Sequence, residues 1–578
     1  MDLEVPGDKI VTALRGLLGS RALTGALYLL MAGMIAAAVL QPVRSYDLGW
    51  HLATGRLIVE QGRIPSSDPF SFTRAGAPWL DHEWLFQVTA FLLNRFGGWR
   101  ALLGADLVLA LGTGLLLVAW MRKERVGHGV LAILLVLSMA GARFRFDARP
   151  EMASLFFMVF LFSILHGSRE PEARWRVWLL PPLFAVWGNT HPGAVLGAAL
   201  LVLWMGAEWG QGLLDGKGFP GGIRRAAICL VSSLGVLANP WGWRLLRVPL
   251  EIRDIVLSGH APNMEWAPPD FQQFPLFFLA VAAALVVLGI GFREVDFSPA
   301  LVTAVVSILA FQHLRNLGFF FLLLPLALAR PAASLEKRIR FPEGEGRLLA
   351  AALLALVSLH FVRGNLVAGE RGYLDLVEPR RAVDFMESHH VGGRLFNDVL
   401  FGGYLIWRRY PGHRVFIDGR NEIYEPLLGE IFEAVNDGGK WQALLERHRI
   451  DAALLRRGQM QSVKYPPSHP GDEVRTELRA FSAAHFPASR WALVYWDDHA
   501  LLFVHRDDPA AAPLLAREYR IHPDDLPHTL ALLARGELNR ATILEEIDRN
   551  LRGNAACRSA ISLRAVIERA PAAGPVAP

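Results

Sequence analysis

Residues 46–99 read YDLGWHLATGRLIVEQGRIPSSDPFSFTRAGAPWLDHEWLFQVTAFLLNRFGGW. Asp47 and His51 stand four residues apart, so on a helix they share one face. Gly55, Leu57 and Ile58 continue that short amphipathic helix. Pro65, Ser66, Ser67, Asp68 and Pro69 then break it. Residues 84–96 are apolar on most faces, bounded by Asp81, His82 and Glu83 before and by Gly97 and Gly98 after. At about 1.5 Å per residue this run is too short to cross a hydrocarbon core of about 30 Å, and it fits a helix lying in the interface. The stretch predicts an outer loop over 42–99 with two helices parallel to a membrane surface and a turn-rich segment between them.

The membrane is read from the flanks. The chain has 578 residues, of which 52% are hydrophobic and only 20% charged. A soluble chain of this length carries about 25% charged residues. The apolar excess concentrates before about residue 363, which excludes a single large soluble enzyme and a disordered scaffold. About eleven spans are predicted, at 22–41, 100–121, 127–142, 150–167, 175–188, 192–209, 224–239, 274–292, 297–312, 315–330 and 346–363, or ten to thirteen according to how the brief polar breaks at 189–192 and 312–316 divide them. The first is too long for a signal-peptide core and is read as an uncleaved span.

Four of the six lysines lie in this half: Lys9, Lys123, Lys217 and Lys337. With about eleven spans and a cytoplasmic N-terminus all four fall on the cytoplasmic side. Arg143, Arg145 and Arg149 then fall outside, as does the C-terminal part. Two cysteines, Cys229 and Cys557, exclude a disulfide framework or a cysteine zinc site. A net charge of +5 without a long basic run leaves no nucleic-acid footprint.

The outside loops gather the unusual side chains: Asp47, His51, Asp81, His82, Glu83, Arg143, Arg145, Arg149, Asn189, His191, Glu265, His313 and Arg315. Ionisable groups at span ends are costly near lipid, and one-sided clustering points to an active face. The alternative is ordinary interfacial loops with snorkelling arginines.

A first span, a long outside loop with an acidic residue just after it, two juxtamembrane helices and a Pro/Trp-rich approach to the second span together resemble the GT-C superfamily. Those are polytopic glycosyltransferases that use polyprenyl-phosphate-linked sugars. Residues 78–98 resemble a segment of the protein O-mannosyltransferases and the lipid A aminoarabinose transferase, with Trp79, Leu80, Asp81, His82, Glu83 and Trp84 in place of the usual residues. The loop is closer still to a little-characterised bacterial group with a GT-C fold. The resemblance implies a GT-C-like transmembrane domain over 1–363, a polyprenyl-phosphate sugar donor, membrane lipid as surroundings and a place in the bacterial inner membrane. It implies that Asp47 is the general base or orients the acceptor, with Glu83 or Asp81 as the second acidic position. A hydroxyl acceptor must lose its proton as it attacks the anomeric carbon, and a positioned carboxylate takes it. The lipid phosphate leaves as an anion, which arginine or a metal can hold. Arg143, Arg145, Arg149 and Arg315 are on the correct side for substrate binding, and His51, His82, His191 and His313 stand beside them. One base and direct displacement predict inversion. His51 and His82 beside the acids could also hold a divalent metal such as zinc, or His82 could cap the interfacial helix.

Residues 364–510 alternate strands and helices and predict an extracytoplasmic α/β domain. Strands are expected at 394–397, 414–418 and 450–455, helices at 403–409 and 441–448, and a hairpin in WALVYWDDHALLFVHR. Asp398, Asp418 and Arg420 end strand-like runs, where ligands often sit, although Asp-Gly is also ordinary turn chemistry. Residues 511–578 predict a short helical tail with a disordered end. The leading expectation is a mostly α polytopic membrane glycosyltransferase acting on an envelope glycan, lipid or protein. A non-catalytic scaffold for envelope polysaccharide and a transporter are the alternatives.

Overall fold

The structure is a computed structural model that describes residues 21–216, 221–259, 264–339, 342–370, 378–465 and 475–570. Lys9, Lys217 and the expected disordered end at 571–578 lie outside the described residues.

The N-terminal part is a helical bundle: α1 (Arg21–Val39), α2 (Leu48–Gln61), α3 (Trp84–Lys123), α4 (His128–Ala142), α5 (Pro150–Gly167), α6 (Leu180–Thr190), α7 (Gly193–Leu214), α8 (Gly222–Ser233), α9 (Val248–Leu257), α10 (Pro275–Ile290), α11 (Phe297–Gln312), α12 (Leu317–Ile339) and α13 (Glu343–Glu370). Among the described residues seven helices are long and apolar enough to cross a membrane, and Gly222–Leu237 with Gly242–Leu257 makes an eighth if that pair, bent by 93°, counts as one span. Seven of the eleven expected segments, 22–41, 100–121, 127–142, 150–167, 192–209, 315–330 and 346–363, fall on those seven helices, and 224–239 falls on the bent pair. Those at 175–188, 274–292 and 297–312 fall on helices shorter than a full span, so length and composition do not establish a count of eleven. Proline opens α5 and α10, where its missing N–H costs nothing. α12 is the most buried candidate span and packs against α4, α10 and α11.

The expected interfacial helix at 84–96 exists, but it runs directly into the next span as α3. The break is a kink at Gly98, whose φ of 60° suits glycine.

The C-terminal part holds α14 (Arg380–Ser388), β1 (Leu395–Asn397), α15 (Val399–Arg409), α16 (Asn421–Ala434), α17 (Gly438–Arg447), β2 (Ala452–Arg456), β3 (Met460–Tyr465), β4 (Arg475–Ala480), α18 (Phe481–His485), β5 (Trp491–Trp496), β6 (Ala500–His505), α19 (Ala512–Leu515), α20 (Leu526–Ala534), α21 (Arg540–Gly553) and α22 (Arg558–Arg569). Its sheet has the order β1-β2-β6-β5, with β1 parallel to β2 and the other neighbours antiparallel. The hairpin forms as expected, and β3 and β4 pair separately.

The expected strand at 414–418 does not join this sheet. Among the described residues its one ladder contact is a parallel bridge from Val415 to Ser71 of the first loop. The Val415 N–H donates to Phe70 O (3.0 Å) and Phe72 N–H donates to Val415 O (3.1 Å). Extended backbone takes whichever partner satisfies its N–H and C=O groups, and here that partner is the first loop, far away in the sequence. Trp50, Ala53, Leu57, Phe70 and Trp79 belong to the same apolar core as the C-terminal sheet. Helices α2 and α15 cross at two glycines, because a Cβ on either Gly49 or Gly403 would fall on the opposing backbone. Gly403→Val is therefore expected to destabilise the protein by about 1–3 kcal/mol, read as a lower unfolding temperature.

Candidate active site

Asp47 directly precedes α2. Its Oδ1 accepts from Trp50 Nε1 (3.1 Å), and its Oδ2 stands 3.9 Å from Arg149 Nη2. Asp81 Oδ1 accepts from Gln87 Nε2 (2.6 Å), while Oδ2 is buried without a hydrogen-bond partner. Glu83, at the N-terminus of α3, lies 3.9 Å from His51 Nε2 and 3.8 Å from His82 Nε2. These side chains line one cavity of about 160 Å³ with Arg145, Arg149, His191 and Arg315. Nine of the eleven residues expected from sequence thus meet: Asp47, His51, Asp81, His82, Glu83, Arg145, Arg149, His191 and Arg315.

Arg143 and His313 do not line this cavity. Arg143 turns toward α13, donating to Asn365 Oδ1 and lying 4.8 Å over the Phe361 ring. It sits on the same short 3₁₀ turn as Arg145, which points its side chain another way. His313 hydrogen-bonds Trp266 O through Nδ1 (2.7 Å) and so fastens the 264–266 turn.

That turn supplies Glu265, one of three acids, with Glu151 and Glu422, that line the cavity and are not singled out as site residues from the sequence. Glu265 pairs with Arg149 Nη1 (2.6 Å) and Arg145 Nη1 (2.9 Å), and Arg145 also pairs with Glu151. Trp50, Trp79, Pro150, Ile252 and Gly419 complete the part of the lining that is not singled out. The acid–aromatic pair Glu265-Trp266, in a loop that the sequence reading places outside, is the available signal. Glu151 looks like a helix-start residue and Glu422 like a first-turn acid, which is where acids ordinarily sit.

Arg420, read as the end of a strand, also reaches the cavity. It is fully buried and donates to Asp418 through Nε (2.8 Å) and Nη2 (2.6 Å), and to Asp68 of the first loop through Nη2 (2.8 Å). Tyr424 donates to Asp418 Oδ2 (2.7 Å). Asp418 therefore anchors the C-terminal part on the first loop and is more than turn chemistry. Between Asp418 and Arg420, a Cβ on Gly419 would collide with Asp47 Oδ1, so only glycine leaves the carboxylate in place. Asp398, the other strand-end acid, caps α15 by accepting from Leu400 N–H (3.0 Å) and stays outside this cavity.

Burial and charge separate the acids. Burial pushes Asp47 up to about 6, against Arg149 and the Trp50 hydrogen bond. Burial pushes Asp81 up to about 7. Glu83 rises well above the usual range through burial and the neighbouring Glu422, Asp81 and Asp47 carboxylates. Burial also acts against ionisation of Glu265, but Arg145 and Arg149 outweigh it and bring the group down to about 2. Burial holds His51 well below its ordinary value and His82 down at about 4, so both are neutral. His191 Nδ1 accepts from Gly193 N–H (3.0 Å), which leaves the proton on Nε2. Arg315 lies 4.8 Å over the Trp266 ring, and among the described residues it has no carboxylate ion pair.

His51, His82 and Glu83 do not close into a metal site. Among the described residues no group of three His, Cys, Asp or Glu side chains could hold a metal ion. The guanidiniums of Arg145, Arg149 and Arg315 face the acids in this cavity.

No protein-family model matches the sequence, and no curated protein matches it. Solved structures do match the fold. A structure of the archaeal oligosaccharyltransferase AglB from Archaeoglobus fulgidus, in complex with an inhibitory peptide and a dolichol-phosphate, matches with a TM-score of 0.55 at 10% identity, over 92% of this chain and 86% of that chain. An apo crystal structure of the Archaeoglobus fulgidus oligosaccharyltransferase matches with a TM-score of 0.54 at 10% identity, over 93% of this chain and 87% of that chain. At such identity the likeness is one of fold. This chain shares the fold of those archaeal oligosaccharyltransferase structures.

Proposed function

We propose that the chain is a GT-C-type membrane glycosyltransferase. It moves a sugar from a polyprenyl-phosphate carrier to an acceptor on the outer face of the membrane, with inversion at the anomeric carbon. The observation that carries this reading is the meeting of Asp47, Glu83, Arg149 and Arg315 in one cavity. The shared fold supports it, since one matching structure contains a dolichol-phosphate.

In this reading Asp47 is the base. Its carboxyl, at about 6, is ionised at neutral pH and close enough to that pH to accept a proton. The acceptor hydroxyl gives its proton to Asp47 as its oxygen bonds to the anomeric carbon. The bond from that carbon to the phosphate oxygen breaks, and the electron pair leaves with the lipid phosphate. Glu83, held protonated, donates a hydrogen bond to a sugar or acceptor oxygen. Two carboxyls whose surroundings push them apart take the two roles. Arg315 is the cavity's arginine without an ion pair to break, so it is assigned to the phosphate. Arg145 and Arg149 are held by Glu265 and orient the acids.

Radiolabelled polyprenyl-phosphate sugars presented to membranes containing the chain test the reading. Label is expected in an acceptor fraction. Failure with a panel of donors and native envelope acceptors would shift the function to the non-catalytic scaffold. Arg315→Gln is expected to weaken use of the donor by about 10–100-fold, the worth of one charge-assisted hydrogen bond, chiefly as a raised KM for the lipid-linked sugar.

A further inference from the structure

A second cavity, of about 560 Å³, lies within the C-terminal domain between α14, β5, the 517–519 segment and α21. Its size is that of a small-ligand site, about 300–1,000 Å³. Arg381, Arg517 and Arg549 line it. Among the described residues none of the three is ion-paired with a carboxylate, whereas Arg408, Arg447, Arg457, Arg479, Arg490 and Arg506 of the same domain are. The lining holds one carboxylate, Asp384, and Arg408 takes it from outside the cavity at 3.1 Å. Arg549 lies 4.2 Å over the Tyr519 ring and donates to the carbonyls of Arg517 (2.9 Å) and Glu518 (3.0 Å), with its Nε buried and unpartnered. Asn550, 6% exposed, gives its Nδ2 to Trp496 O (2.7 Å), and its Oδ1 has no partner.

Like charges gathered without counter-ions repel one another, and a bound anion relieves that cost. The rest of the wall is aromatic. Phe385 stacks on His389 at 4.0 Å and lies 4.9 Å from Tyr495. Guanidiniums answer carboxylates, flat rings answer the apolar face of a pyranose, and an unpartnered amide oxygen answers a hydroxyl. We propose that this cavity binds an acidic saccharide, a uronate or a similarly charged sugar. It would hold a growing or accepting glycan away from the Asp47 cavity. A bare phosphate would engage the arginines and leave the rings uncovered. The choice of a saccharide rests on the glycosyltransferase reading, whereas the cationic, ring-lined chemistry does not.

The test is calorimetry on the full-length protein in nanodiscs of zwitterionic lipid, with trigalacturonate, the neutral trisaccharide maltotriose and inorganic phosphate as separate probes. Binding is measured without transfer, so its failure leaves the reaction at Asp47 untouched. Trigalacturonate is expected to bind saturably and more tightly than either other probe. Arg381 and Arg517 are exposed, so Arg381→Gln and Arg517→Gln are expected to leave the unfolding temperature near the native one, and each is expected to weaken binding roughly tenfold. Absence of trigalacturonate binding, equal binding of maltotriose, equal binding of phosphate, or full binding in both variants would each overturn the proposal.

Discussion

Asp47→Asn is expected to lower sugar transfer by about 10²–10⁴-fold, the usual worth of a positioned general base. An amide keeps the shape and can still accept the Trp50 Nε1–H bond, but it takes no proton. The substitution leaves no cation stranded, because Arg149 keeps Glu265 at 2.6 Å. The unfolding temperature should therefore stay near the native one while transfer collapses. Gly419→Ala separates chemistry from position. Its new Cβ would fall on Asp47 Oδ1, and a displacement of about 1 Å costs on the order of 10²-fold in rate. A loss in Gly419→Ala with unchanged carboxylate chemistry would show that placement of Asp47 matters as well as its charge.

Arg420→Leu should have the largest effect on stability. The guanidinium is fully buried and bonds to two fully buried carboxylates, Asp418 and Asp68. Removing it strands both, and breaking such a buried pair costs about 3–5 kcal/mol. Because Asp68 belongs to the first loop and Asp418 to the C-terminal domain, the loss should free one from the other. The expected readouts are a lower unfolding temperature and faster proteolysis of the first loop. Adding Asp418→Asn to Arg420→Leu should recover part of the loss, since one stranded charge is then gone. Lysine would not substitute, because a single ammonium cannot repeat the forked contacts of Nε and Nη2.

Local signals in the sequence were enough for most elements. Apolar runs located the bundle helices, alternation located the β5–β6 hairpin, and the spacing of acids and histidines after the first span located the cavity. Long-range pairing was not legible. Residues 414–418 have strand-like alternation, and nothing local says that Ser71 rather than the sheet is the partner. Arg143, Arg145 and Arg149 look equivalent in a row. The short 3₁₀ turn sends Arg143 toward Asn365 and Arg145 toward Glu265. His313 reads as a ligand-facing residue in the sequence, but its Nδ1 is committed to the Trp266 carbonyl and it does not line the cavity. Glu265 and Glu422 come from segments far apart in the chain and gain meaning only where the C-terminal domain closes over the first loop.

The most direct measurement is the rate of transfer from a radiolabelled polyprenyl-phosphate sugar in proteoliposomes, followed against pH for the native chain and for Asp47→Asn. A base is active when deprotonated, so burial that raises Asp47 to about 6 places the loss of activity below that pH. The account predicts native transfer that rises as pH increases through about 6, and transfer that is nearly abolished in the variant at every pH. Native-level transfer by Asp47→Asn at equal expression would contradict it.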